Sequence, residues 1–416
     1  MADRSQTICV VGLGYIGLPT AATLARAGFK VKGSDINPHI VEELNGARAH
    51  FAEPDLDLLV RGAVESGRLT AHLEPQPADA FIIAVPTPIQ ADKSPDMTYV
   101  EAAAHATARV LEPGNLVILE STSPLGATAT VAAIIREERP DLVDGEALKV
   151  AVAYCPERIL PGRMVTELVE NDRIVGGITP ADAMRARDLY KSFVRGEIFL
   201  STAKTAEMVK LIENAYRDVN IAFANEVANI AEAHGLDPWE TIMLANRHPR
   251  VNILSPGPGV GGHCIAVDPW FLITQNPALS GLMAQARKIN DSRPESVMAK
   301  IRAAADAAGS KKIACLGLSF KPNVDDLRES PAVTIAGRLA DEGFDVAAVE
   351  PHVAKLPATL DGRVNLRLSS FEDAVREAGV VVLLVAHSVF AGANRGLEGK
   401  QVIDAVGLWR KQTRAA

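Results

Sequence analysis

Thr7-Ile8-Cys9-Val10-Val11-Gly12-Leu13-Gly14-Tyr15-Ile16-Gly17-Leu18-Pro19 is the stretch that decides the fold. A strand-forming run enters a Gly-x-Gly-x-x-Gly turn, and a helical pattern, Leu18–Ala27, leaves it. The spacing alone is a weak signal. A strand before it and a helix after it supply the context in which it grips a dinucleotide. Gly12 permits the tight turn, Gly14 lets the backbone approach a pyrophosphate, and Gly17 lets the helix close on the strand. The helix amino terminus then offers free N–H groups and a partial positive charge to phosphate. Asp35 ends the next strand candidate, Lys30–Ser34. A carboxylate there accepts from both ribose hydroxyls and repels a 2′-phosphate, which selects NAD over NADP.

Outward from that motif, further apolar runs at Ala80–Val85, Leu116–Glu120 and Lys149–Ala153 alternate with helical stretches such as Thr98–Leu111. Alternation of this kind predicts a parallel, doubly wound sheet. From about Thr202 to His234 the pattern becomes one long helix, closed by Gly235. Met208, Leu211, Ile212, Ala215, Val219, Ala222 and Phe223 keep its apolar stripe, and Val227 and Ile230 extend it. About thirty helical residues span roughly 45 Å, enough to bridge two domains and to offer a subunit interface. A glycine- and proline-rich loop, Pro256–Gly262, and more helix to about Ala308 follow. A second α/β series begins at Lys312: KKIACLGL, a helix after Pro331, then DVAAVEP, VVVLLVAH and QVIDA. The expected architecture is α/β, with two Rossmann-like doubly wound parallel-sheet domains joined by a long central helix and a helical middle. Its bounds are 1–200 for dinucleotide binding, 201–308 for the middle and 309–416 for the second sheet domain.

The 416 residues exceed a single core, and 48% hydrophobic with 23% charged residues is ordinary for a globular enzyme. A formal net charge of -8 argues against nucleic acid, which needs a basic stripe. MADRSQ runs straight into a strand, leaving no room for a signal peptide, and no apolar run has the length of a membrane span. The expectation is a cytoplasmic protein without membrane contact. Cys9, Cys155, Cys264 and Cys315 are scattered and form no CxxC pair, so they read as reduced thiols with no metal site.

Gly257-Pro258-Gly259-Val260-Gly261-Gly262-His263-Cys264 is the second signal. Read plainly, it is a flexible loop that ends in a cysteine. Yet a cysteine reached by glycines is open to a bulky substrate, as catalytic cysteines must be. Cys9 and Cys315 lie in strand-like runs and read as structural; Cys155 stays ambiguous. Lys210 and Asn214 stand four apart on the long helix, one turn apart on one face. Such a pair is commonly solvated helix surface, but it also has the make-up of an oxyanion site.

With these residues in view, the chain resembles the UDP-glucose/GDP-mannose dehydrogenase family over essentially its whole length. The matching segments are VVGLGYIGLP, VPTP, ESTSPLG, CPERILPG, EMVKLIENAYR, GVGGHCIAVDP and GLSFKPNVDDLRESP, in the same order and spacing. HPRVN with CPERILPG most resembles members acting on UDP-N-acetyl-D-mannosamine. Members acting on UDP-glucose usually carry a second glutamate where Pro161 stands here. The resemblance implies that NAD is held by Gly12, Gly14, Tyr15, Ile16, Gly17, Asp35, Thr87, Thr122 and Arg328. It places the nucleophile on Cys264, the water-holding aspartate on Asp268 and the oxyanion donors on Lys210 and Asn214. Glu157 falls where thioester hydrolysis is served, and Thr122 near the catalytic water. Glu157, Arg158, Leu160, Lys210, Asn214, Gly261 and Lys321 fall on substrate positions, and Arg250 resembles an arginine offered by a neighbouring subunit. The implied reaction is an NAD-dependent four-electron oxidation of the C6 hydroxyl of a UDP-sugar. The long helix, apolar around more of its circumference than one packed face requires, predicts a homodimer or dimer-based assembly. UDP-N-acetylglucosamine and UDP-glucose are the neighbouring substrates. A two-electron hydroxyacid or polyol dehydrogenase would not need Cys264, and a non-catalytic nucleotide-sugar sensor would have no use for a nucleophile.

Overall fold

The computed structural model describes residues 5–51, 53–159, 162–394 and 396–409. Its strands are β1 Thr7–Val11, β2 Lys30–Ser34, β3 Leu69–His72, β4 Ala80–Ile83, β5 Leu116–Leu119, β6 Val143–Asp144, β7 Ala147–Leu148, β8 Ala151–Tyr154, β9 Arg173–Gly177 and β10 Ile198–Thr202, followed by β11 Lys312–Leu316, β12 Asp345–Val349, β13 Leu366–Leu368, β14 Val380–Leu383 and β15 Gln401–Asp404. Its helices are α1 Gly17–Arg26, α2 Pro38–Asn45, α3 Leu56–Glu65, α4 Thr98–Ala108, α5 Ala127–Glu138, α6 Met164–Glu170, α7 Pro180–Tyr190, α8 Ala203–Ala233, α9 Pro238–Ala245, α10 Asp268–Gln275, α11 Gly281–Ala308, α12 Pro331–Asp341 and α13 Phe371–Glu377. No helix among the described residues is long and apolar enough to cross a membrane.

Two compact units emerge, one of Met1–Glu213 with Trp270–Gln275, the other of Asn214–Pro269 with Asn276–Ala416. The first is built on a sheet of order β10-β9-β8-β5-β4-β1-β2-β3. Successive residues of a strand face opposite ways, and β1 uses this to serve two cores. Ile8 and Val10 join the layer that includes Leu18, Leu24 and Leu189; Cys9 and Val11 join Phe81, Ile83, Val131 and Ile135 on the other side. Continuous apolar strands are the mark of a parallel sheet covered on both faces. Every pairing in this sheet is parallel except one. β9 runs antiparallel to β8, with Ala153 opposite Gly177 and Tyr154 opposite Gly176.

In the second unit, the sheet has order β13-β12-β11-β14-β15, all parallel. β11 repeats the device of β1: Ile313 and Cys315 face one core, Ala314 and Leu316 the other. Both sheets reverse strand order beside their first strand, between β1 and β4 and between β11 and β14. Ligands of open α/β sheets bind outside the strand carboxyl ends at such a reversal. Helix starts are set locally: α2, α7, α9 and α12 each have a proline in the first turn behind a capping Asn37, Thr179, Asp237 or Ser330 side chain.

Candidate active site

In the first unit the glycine turn is forced by close packing. Gly12 sits at φ +89°, and a Cβ there would meet Ala84 O at 2.7 Å; one on Gly17 would meet Gly12 O at 1.8 Å. Around Gly14 a Cβ would find nothing within 4 Å, so that space is left to a ligand. No side chain caps α1; Leu18 N donates to Gly14 O at 3.1 Å and Pro19 has no N–H, so within its first three residues the Gly17 N–H is the one left for a phosphate. Asp35 Oδ2 accepts from Leu13 N at 2.9 Å and Oδ1 from Asn37 N at 2.9 Å, leaving each oxygen acceptor capacity for a ribose hydroxyl. Tyr15 stacks on Phe51 with ring centroids 4.3 Å apart, and Ile16 is half-buried at the start of α1. Thr87 Oγ1 donates to Thr122 O at 2.5 Å, so these two positions are brought together. This cradle fits a dinucleotide.

Glu157 is buried beyond β8. Its Oε1 accepts from Arg158 N at 2.8 Å, and its Oε2 from Arg173 Nη1 at 2.5 Å. The Arg158 guanidinium pairs with Glu213 at 2.8 Å and donates to Asp172 O. Leu160 lies outside the described residues. Lys210 is buried on α8. Sequence reasoning missed Glu207, one turn earlier, which is fully buried and accepts from Gly126 N, Thr128 N and Thr128 Oγ1 at 2.6, 2.8 and 2.6 Å. It ties α8 to the start of α5, just after the ESTSPLG segment. An acidic residue on a helix carries no sign of this in sequence, because its donors lie 79 or more positions away.

In the second unit, Asn214 Nδ2 donates to Asp268 Oδ2 at 2.6 Å, and both side chains are buried. Asp268 N donates to Cys264 O at 2.8 Å, so the cysteine and the aspartate share one turn at the head of α10. Cys264 is exposed, whereas Cys9, Cys155 and Cys315 are buried. Burial pushes those three thiols up, to about 11 for Cys9 and about 12 for Cys155 and Cys315. Thiolate formation near neutral pH is denied to them, and Cys155 joins the structural group.

The glycines before Cys264 have a reason different from substrate access. A Cβ on Gly261 would meet Glu329 O at 2.5 Å, and one on Gly262 the Phe320 ring at 2.9 Å, so the loop backbone lies flat against the segment that starts α12. Asn225 Oδ1 accepts from Gly257 N at 2.9 Å and Arg293 Nε donates to Gly257 O at 2.9 Å, fixing the loop's origin. Lys321 follows Phe320, and its Nζ lies 6.0 Å from that ring. Arg328 is exposed and pairs with Asp326 at 2.6 Å. Arg250 is exposed, its backbone N donating to His248 Nδ1 at 3.3 Å.

Glu350, His352 and His387 bring possible metal-ligand atoms within 4.8 Å of one another. Asn323 N donates to His387 Nδ1 at 2.9 Å, which puts the ring proton on Nε2, 3.1 Å from Glu350 Oε2. Those lone pairs are spent on the brace, and the trio reads as scaffold.

A dinucleotide cradle on one sheet, and in the other unit an exposed cysteine whose loop leads to a buried Asn–Asp pair, define an NAD-dependent dehydrogenase. Residues 6–194 match the NAD binding domain of the UDP-glucose/GDP-mannose dehydrogenase family, 204–292 its central domain and 314–411 its UDP binding domain. The chain belongs to that family. It is 53% identical to the NDP-N-acetyl-D-galactosaminuronic acid dehydrogenase of Ralstonia solanacearum, over 99% of this chain and 98% of that one. It is 51% identical to the UDP-N-acetyl-D-mannosamine dehydrogenase of Escherichia coli K12, over 97% and 99%. Among solved structures it resembles the UDP-D-ManNAc dehydrogenase of Pyrococcus horikoshii with a TM-score of 0.88 and 37% identity, covering 98% of this chain and 96% of that one.

Proposed function

We propose that this enzyme oxidises the C6 hydroxyl of a UDP-N-acetylhexosamine, UDP-N-acetyl-D-mannosamine foremost, to the carboxylate through a thioester on Cys264. The observation that carries the reading is the contrast among the cysteines. Cys264 alone of the four is exposed, and its carbonyl takes the N–H of the buried, Asn214-paired Asp268. NAD, held by Gly12, Gly14, Gly17 and Asp35, with Thr87, Thr122, Tyr15 and Ile16 beside them, supplies a hydride acceptor twice per sugar.

Asp268 takes the C6 hydroxyl proton through a water, and Lys210 and Asn214 steady the alkoxide. The Cys264 thiolate adds to the aldehyde, because a carbonyl carbon cannot lose hydride until a nucleophile has made it tetrahedral. Loss of the second hydride leaves the thioester. Glu157 then draws a proton from the water that releases the acid. Every stage places negative charge on the same oxygen, so one pair of donors one turn apart on α8 serves all of them. Arg158, Gly261, Lys321 and Leu160 are assigned to the sugar nucleotide, Arg328 to the cofactor and Arg250 to a neighbouring subunit's substrate.

The assembly proposed is a homodimer formed along α8, acting in the cytoplasm, with parts at 1–200, 201–308 and 309–416. Met208, Ile212, Tyr216, Phe223 and Ile230 are all exposed on that helix, Tyr216 at 67% and Phe223 at 54%. At about 100° per residue they fall within roughly 80° of arc, one apolar stripe that a second copy would cover.

NADH counted against sugar consumed, with product mass, tests the chemistry. Two NADH per sugar and a carboxylate are expected; one NADH with aldehyde overturns the reading. Cys264→Ala should stall after the first hydride. A second reading, a galacto-configured N-acetylhexosamine, is favoured by the 53% identity to the Ralstonia protein. A panel of UDP-sugars read at the NADH band separates it from the manno, gluco and UDP-glucose alternatives.

A further inference from the structure

Beneath the carboxyl ends of β5 and β8 lies a charge cluster that the chemistry above does not use. Arg173, Glu120 and Tyr190 are fully buried or nearly so, and Cys155 lies among them. The antiparallel run of β9 puts them there. Tyr154 pairs with Gly176, and continuing that register three places sets Arg173 opposite Glu157. A parallel β9 would carry its first residue to the other end of the sheet.

We propose that Arg173 is a positioning residue for the hydrolytic step: shared between Glu157 and Glu120, it keeps the Glu157 carboxyl group aimed. This rests on the assignment of Glu157 to thioester hydrolysis. Arg173 Nη1 lies 2.5 Å from Glu157 Oε2 and 3.8 Å from Glu120 Oε1. Its Nη2 donates to Leu168 O at 3.0 Å, and the guanidinium lies 5.2 Å from the Tyr190 ring centre, so the fork has no freedom to swing. Glu157 is held at both oxygens, by Arg173 and by Arg158 N, and each oxygen keeps a lone pair for water.

Two buried carboxylates face one cation. The groups around them are Tyr190 on α7, which donates to Glu120 Oε1 at 3.0 Å, Thr20 on α1 at 3.3 Å from Oε2, and the Cys155 thiol. Burial, and then the charge of Glu157, push Glu120 up to about 7 against the pull of Arg173. Glu120 therefore keeps its proton until near neutrality. The Arg173 guanidinium stands closer to Glu157 than to Glu120, so the fork is aligned by Glu157 first.

A merely structural ion pair joining β8 to β9 would, when weakened, slow every step alike. A positioning residue slows one. The test uses the full-length Arg173→Lys, Glu120→Gln and Glu157→Gln enzymes with UDP-N-acetyl-D-mannosamine and NAD, read by rapid-mix NADH formation and intact protein mass. Glu157→Gln should accumulate acyl-enzyme on Cys264 and lose about a hundredfold or more in hydrolysis. Arg173→Lys should form both NADH equivalents at the wild-type rate, accumulate the same acyl-enzyme, and hydrolyse it at least about tenfold slower. Glu120→Gln, by leaving Arg173 wholly to Glu157, should hydrolyse at the wild-type rate or faster and accumulate no acyl-enzyme. Uniform slowing without acyl-enzyme in Arg173→Lys, or acyl-enzyme accumulating in Glu120→Gln, overturns the proposal. Should Arg173→Lys not fold, the acyl-enzyme level in Glu120→Gln decides alone. Absence of acyl-enzyme in Glu157→Gln would instead overturn the role given to Glu157.

Discussion

The two sheets begin with the same device and end it differently. After β1, Gly12 N donates to Ser34 O at 2.8 Å, and after β11, Gly317 N donates to Val349 O at 2.8 Å. Both glycines have positive φ, +89° and +87°, where an added Cβ would strike the neighbouring strand's end. A carboxylate then closes the second strand of each: Asp35 Oδ2 accepts from Leu13 N at 2.9 Å, and Glu350 Oε2 from Leu318 N at 2.7 Å. There the likeness stops. Asp35 is half-exposed, with acceptor capacity to spare. Glu350 is buried and takes Leu318 N, Ser319 N, His352 N and the His387 ring as well. The helix starts diverge in the same sense, α1 uncapped and α12 capped by Ser330.

One frame thus yields a strand-end carboxylate with acceptor capacity left in one copy and a fully engaged one in the other. The difference lies in how many donors the protein already points at it. In the second unit the brace holds the Ser319–Asn323 turn, since Ser319 Oγ donates to Lys321 O at 2.7 Å and Asn323 N reaches His387. Its work is to fix the segment that carries Lys321.

Exchanging the two carboxylates for alanine should break the comparison most visibly. Glu350→Ala leaves three backbone N–H groups and an imidazole without their acceptor in a buried place, a loss of roughly 4 kcal/mol or more. Asp35→Ala strands two donors near water and should cost about 1 kcal/mol. Denaturant unfolding of both variants checks this; equal losses would mean that Glu350 is no more than a second Asp35.

Function should reverse that order. Asp35→Ala should lower kcat/KM with NAD about tenfold to a hundredfold, the worth of charged hydrogen bonds to two ribose hydroxyls, and raise it with NADP. Any Glu350 variant that folds should keep the wild-type preference for NAD. Comparable efficiency with NADP in the wild type would sink the role given to Asp35.

Much of this contrast was legible in sequence and its second half was not. The bounds of β1 and β2 coincide with the apolar runs, and Asp35 stands out because its strand, its distance from the glycines and its charge all point one way. Glu350 has the same placement after DVAAV, yet nothing near it reveals that His387 lies against it, because burial of a carboxylate depends on donors from remote strands. β9 escaped for a related reason. Arg-Ile-Val-Gly-Gly opens on a charge and closes on two glycines, all of which weaken a strand reading. The glycine loop before Cys264 was found for its chemistry, while its glycines are demanded by Phe320 and Glu329.

Acid should sharpen the comparison further. Burial alone would raise Glu350; the His387 ring proton and the Leu318 N–H outweigh it and hold the carboxyl below its ordinary range. A depressed carboxylate contributes stability that is present above its unfolded value, about 4.3, and lost as pH falls through the folded one. Wild-type Tm should therefore fall more steeply than that of Glu350→Gln between about pH 5 and pH 3. Parallel curves would remove Glu350 from the acid response.

The smallest effect expected is at the capped helix. Ser330 Oγ accepts from Ala332 N at 3.2 Å and Val333 N at 3.5 Å, and Pro331 between them has no N–H, so α12 has little left to offer an anion. Ser330→Ala frees two donors and should cost about 1 kcal/mol, the usual worth of a cap, with KM for NAD unchanged. The freed N–H groups should still not bind phosphate. Gly259 and Gly261 pack so near Pro331 that added Cβ atoms would lie 3.0 and 2.8 Å from it, so the cysteine loop lies over the start of α12. Thermal melts of Ser330→Ala with and without inorganic phosphate test this. A phosphate-dependent recovery of Tm that the wild type lacks would mean the cap alone, and not the loop packed over it, separates the two copies of the frame.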